Sequence, residues 1–66
     1  MRYALHADTP TTRLASYIIE ATSRDPQQAQ EQLRAGVAAA FAAFTHDFGP
    51  PLMRGDITWR PRFLSD

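Results

Sequence analysis

Asp25-Pro26-Gln27-Gln28 opens a helix that nothing interrupts until Gly49-Pro50-Pro51, and this element constrains the fold more than any other. An aspartate at the N-cap accepts from the free N–H groups of the first turn. A proline just inside the start needs no N–H there, and Gln28 is placed to close a capping box. The run to about Asp47 spans roughly 21 residues, about 30 Å at the standard rise. Glycine followed by two prolines then stops it.

Placed on a helical wheel, Leu33, Val37, Phe41, Phe44 and Phe48 form a bulky arc. Ala29, Gly36, Ala40 and Ala43 form a small-residue arc beside it, and Gln27, Glu31, Arg34, Thr45 and His46 lie towards the remaining side. A bulky arc must be covered by a sheet or another helix. The small arc lets a second backbone come close. Within the chain that means ordinary packing; between chains it means a self-association seam at Gly36, Ala40 and Ala43.

The flanking segments are shorter. Residues 2–7 alternate, with Tyr3, Leu5 and Ala7 on one face and Arg2, Ala4 and His6 on the other, which predicts a strand. Thr9 and Pro10 then have the chemistry of a helix start. From Thr11 to Ser23 a helix gathers Leu14, Tyr17, Ile18 and Ala21 on one side and Thr12, Arg13, Ser16, Glu20 and Ser23 on the other. The β-branched residues of this stretch favour a strand instead, with Ala15, Tyr17, Ile19 and Ala21 on one face. The helix separates the polar residues more cleanly and is preferred. Asp56 to Phe63 reads as a strand, and Pro61 either confines it to a sheet edge or ends it there. The expected fold is a single α+β domain over residues 1–66. Its order is β-α-α-β, with β-β-α-β as the alternative, and the long Ala-rich helix packs on a small antiparallel sheet.

A chain of 66 residues buries only about 60% of its unfolded surface. Natural domains this small often add a disulfide, a metal or a partner chain. There is no cysteine, and His6 and His46 stand far apart without metal-ligand spacing, so self-association as a homodimer is the expected supplement. Formal net charge is zero and the pI about 6.7. This argues against a dedicated nucleic-acid binder, which usually carries a clear positive excess. All seven basic residues are arginine, the pattern a GC-rich genome gives. The longest apolar run, Val37 to Phe44, is far short of the roughly 20 residues that span a bilayer. No leader-like run stands in the opening residues, so no membrane association and a cytoplasmic location are expected.

No phosphate loop, nucleophile elbow or metal motif is present, so neither catalytic residue, cofactor nor metal is assigned and the chain is read as non-enzymatic. His46 and Asp47 are helix neighbours whose side chains diverge. His46 suits the negative end of the helix dipole. Arg54-Gly55-Asp56 spells an integrin-binding triplet, but Gly55 serves better as the turn into the last strand. The most suggestive cluster is Arg54, Trp59, Arg60, Arg62 and Phe63, because tryptophan and arginine are enriched in interface hot spots. It points to a small interaction or regulatory module, of the kind common among bacterial and phage accessory proteins, that acts by binding another protein. The alternative is a dimeric DNA-binding regulator. A strand followed by two helices is the element order of ribbon-helix-helix repressors, and it would turn Arg2, Ala4 and His6 towards DNA.

Overall fold

A computed structural model of the chain describes residues 1–50 and 55–66. The fold is α+β: strands β1 (Arg2–Asp8) and β2 (Arg13–Glu20), helix α1 (Pro26–Phe48) and strand β3 (Thr58–Ser65). The strands form one antiparallel sheet in the order β2-β1-β3. The element order is therefore β-β-α-β.

The second element corrects the preferred sequence reading. Residues 13–20 are a strand, not part of a helix over 11–23. Thr9 caps a turn: its hydroxyl oxygen accepts from Thr12 N at 3.0 Å, and its own N–H donates to Thr12 O at 2.8 Å. That turn folds the chain back on β1 in register, Tyr3 opposite Ile19, Leu5 opposite Tyr17 and Ala7 opposite Ala15. The partner strand settles a choice that local propensity left close. The correction also removes the basis for a ribbon-helix-helix likeness, which needs two helices after the first strand.

The start of α1 is as read, with one change. Asp25 Oδ1 accepts from Gln27 N at 3.3 Å. Gln28 closes no capping box; its Oε1 accepts from the Ser23 hydroxyl at 3.0 Å, and that hydroxyl accepts from Asp25 N at 3.1 Å. Gln32 Oε1 adds bonds from Thr22 N and Ser23 N, so side chains of the first helical turns fix the β2–α1 corner. Gly49 ends the helix at φ +87°, a backbone that favours glycine, and its N–H donates to Thr45 O.

The core lies between α1 and one face of the sheet. Leu5, Ile19 and Ala40 form its centre, with Tyr17, Leu33, Val37 and Trp59 packed around them. Phe44 is fully buried. The small-residue arc is used inside the chain: a Cβ on Gly36 would stand 2.6 Å from Ile19 Cγ2, and Ala29 and Ala40 are buried. β3 is an edge strand, with Pro61 opposite Leu5. It begins and ends two residues later than the sequence suggested. Among the described residues no helix is long and apolar enough to cross a membrane.

Candidate functional site

Strand alternation divides the cluster expected to form one surface. Trp59, Pro61 and Phe63 pair with Ala7, Leu5 and Tyr3 and so face α1. Arg60 and Arg62 pair with His6 and Ala4 and face away from it. Arg54 lies outside the described residues. The single basic-aromatic patch is therefore two surfaces, one on each side of the sheet.

On the helix side, Trp59 is locked in place. Its ring meets Phe41 at 4.6 Å and Phe44 at 5.1 Å, both edge-on, and stacks towards Tyr17 at 6.5 Å. Phe44 in turn stacks on Phe48 at 4.8 Å. Phe63 is different. It meets the edge of Tyr3 at 5.5 Å and stays 48% exposed. Beside it opens an apolar trough of about 200 Å³ lined by Tyr3, Leu5, Ile19, Leu33, Val37 and Pro61. None of these side chains carries a charge, and only Tyr3 carries a polar atom. Such a hollow takes apolar groups and offers almost nothing to orient a polar substrate.

The outer face is charged and polar. Its rows run across all three strands: Ile18, Ala4, Arg62; Ser16, His6, Arg60; and Arg13, Asp8, Thr58. Asp8 accepts two hydrogen bonds from Arg13, at 2.8 and 3.3 Å, and stands 3.5 Å from Arg60 Nε. The bond from Arg13 holds the Asp8 carboxyl below the usual carboxylate range, against some desolvation, with the charges of Arg13, His6 and Arg60 assisting. His6 Nδ1 and Ser16 Oγ are 2.7 Å apart. Histidine beside a hydroxyl suggests a nucleophile and its base, but Asp8 is engaged by arginines and does not orient the ring, so the pair lacks the third member of a triad.

The sequence reading missed the His6–Ser16 pair. It follows only from the hairpin register, which the helical reading of 11–23 concealed. Of the proposed self-association residues, Gly36 and Ala40 are covered by the chain's own sheet, while Ala43 is exposed. His46 and Asp47 are exposed on the last turn of α1. Tyr17 is perturbed as well: burial raises its hydroxyl's pKa, Asp47 adds to this, and the buried oxygen has no hydrogen-bond partner among the described residues. Among the described residues no three His, Cys, Asp or Glu side chains gather where they could hold a metal ion. No protein family, no curated protein and no solved structure matches this chain.

Proposed function

We propose that this protein is a non-enzymatic binding module that receives an apolar segment of another protein in the trough between α1 and β3. The observation that carries the reading is Phe63, half exposed on the helix side of the sheet and edge-on to Tyr3, which lines that trough. Leaving half of a phenylalanine in water forgoes about half of the roughly 1.5–3 kcal/mol that full burial contributes. A partner that covers it recovers that free energy.

The size of the trough supports a protein partner over a small molecule. Ligand pockets usually enclose about 300–1,000 Å³; this one is smaller and open along one side. It has room for one or two large side chains from a partner surface. Phe63 and Tyr3 would flank them as aromatic anchors of the kind that dominate interface energetics. Trp59, expected from sequence to touch the partner, acts from behind by holding β3 against α1.

A photoreactive phenylalanine analogue at position 63, compared with the same analogue at Ile18, tests this. Ile18 is 63% exposed on the opposite face. The expected result is one heterologous adduct from position 63, none from position 18, and loss of the adduct when Val37→Glu charges the trough. The partner, once purified, should bind the wild type and not the Val37→Glu protein. Adducts of the chain with itself would replace the reading with a homodimer. Equal adducts from both positions would show that the surface is wrong.

A further inference from the structure

We propose that the outer face of the sheet carries an oxyanion site, built from His6, Arg60 and Arg62, which takes the phosphoryl group of a small phosphate or diphosphate ester. It lies on the opposite side of the sheet from the trough and does not rest on the protein-binding reading.

The chain is neutral overall, but its charges are not evenly placed. Among the described strand residues the outer face holds Arg2, Arg13, Arg60 and Arg62 against Asp8 and Glu20. Two of these arginines are spent. Arg2 pairs with Glu20 at 3.1 Å, and Arg13 clasps Asp8 with two hydrogen bonds. Arg60 has only a 3.5 Å contact with the carboxylate that Arg13 already holds, and its side chain is 66% exposed. Arg62 makes no hydrogen bond or ion pair among the described residues. Two under-used guanidiniums therefore stand two residues apart on one edge strand, pointing the same way. Planar forks of this kind match the geometry of phosphate oxygens.

His6 supplies the independent observation. It lies directly across from Arg60 and diagonally from Arg62, within side-chain reach of both. It is only 9% exposed, and its Nε2 is buried with no hydrogen-bond partner. A buried ring nitrogen without a partner is uncommon because it forgoes its solvation for nothing in return. An oxyanion completes it. With the Ser16 hydroxyl donating to Nδ1, the ring proton sits on Nε2 and donates to a phosphate oxygen, while Arg60 and Arg62 neutralise the charge. Arg60 can swing from Asp8 to the anion without unpairing that carboxylate, since Arg13 stays.

The same face decides how much of the ligand is recognised. The strand aromatics Tyr3, Tyr17, Trp59 and Phe63 all belong to the helix side. Among the described residues the outer face has no Phe, Tyr or Trp ring on which a base could stack, and the His6 ring is buried, so recognition ends at the phosphoryl group.

Titration of the isotope-labelled full chain with pyrophosphate, against chloride at matched ionic strength, tests the site by NMR. The expected result is a saturable shift of the His6 ring nitrogens, with the tautomer fixed as Nε2–H, and of the Arg60 and Arg62 Nε–H groups. Arg62→Gln and Arg60→Gln should each weaken binding about tenfold, the effect of losing one charge-assisted contact. Arg34→Gln, on the exposed side of α1, should change nothing. Trp59 fluorescence confirms that each variant is folded. A nucleoside diphosphate should bind within a few-fold of pyrophosphate. Equal shifts in chloride, indifference to both arginine substitutions, or a nucleoside diphosphate bound more than tenfold tighter would each overturn the proposal.

Discussion

The two ends of α1 meet the same sheet in different ways. Near Phe44 the helix is sealed to β3 by Phe41, Phe44 and Trp59, with Tyr17 and Phe48 stacked alongside. Near Leu33 the helix and β3 do not close, and the trough lies between them. The difference follows from side-chain size on the two flanks of the helix. Gly36, Ala29 and Ala40 let the helix sink onto β2, where Gly36 leaves no room for a Cβ beside Ile19. That contact draws the whole helix towards β2 and away from β3. Phenylalanines at 41 and 44 are long enough to span the gap; Leu33 and Val37 are not. A helix lowered on one side by small residues therefore opens a hollow on the other wherever its remaining residues are short.

The comparison breaks first at the sealed end. Phe44→Ala removes the one large side chain that is completely buried among the described residues and should cost about 3–5 kcal/mol. Domains have only about 5–15 kcal/mol in total, and a chain of this size belongs at the low end. Urea unfolding followed by Trp59 fluorescence should show the midpoint collapse. A loss below about 1 kcal/mol would mean that this end does not carry the core.

Gly36→Ala tests the cause of the asymmetry. In an exposed helix the change would gain up to about 1 kcal/mol. Here the new methyl meets the Cγ2 of a β-branched side chain with little rotamer freedom. Overpacking costs of about 1–3 kcal/mol should win, giving net destabilisation. A stabilised Gly36→Ala protein would show that the helix is not held down on β2, and the explanation of the trough would fall with it.

At the open end the expected effect is smaller and of another kind. Phe63→Ala removes a half-exposed ring and one edge contact with Tyr3, worth about 0.5–1.5 kcal/mol of stability. The domain should stay folded while capture of the partner through the trough is lost. The sealed end thus answers to stability measurements and the open end to binding measurements. A Phe63→Ala protein that unfolds as readily as Phe44→Ala would erase the distinction.

The sequence already displayed much of this. Asp25-Pro26 and Gly49 mark both helix ends, and the bulky and small arcs are the two flanks just compared. The alternation of residues 2–7 and the edge position of Pro61 also follow from local chemistry. What stayed hidden depends on pairing. Ile18 joins Tyr17 in a helix and Ile19 joins it in a strand, and only the turn at Thr9 with β1 as partner decides for a strand. Once that is decided, the His6–Ser16 contact and the burial of Nε2 follow from register. Grouping Trp59 and Phe63 with Arg60 and Arg62 sets aside the period of two, legible in the strand itself, that places them on opposite faces. The trough had no local signal, because it depends on which flank of the helix sits lower.

The smallest expected effect separates the two ends on the outer face. Behind the sealed end, Asp8 is held by Arg13 and approached by Arg60; behind the open end, Arg2 and Glu20 make a single exposed contact. A carboxyl whose pKa is lower folded than unfolded contributes stability that is complete above its unfolded value. That contribution is lost as pH falls through the folded one. For Asp8 the unfolded value is near 3.8, so the loss belongs to the acid side of pH 4. Arg13→Gln removes the hydrogen bond that is the largest cause of the shift and should move the acid-unfolding midpoint upward. Arg2→Gln, which touches an exposed pair, should leave it in place, as such pairs contribute little. Acid titrations of both variants, read by circular dichroism, check this. Equal shifts would mean that acid stability is set by net charge and not by the Asp8 clasp, and the two ends would then differ only on the helix side of the sheet.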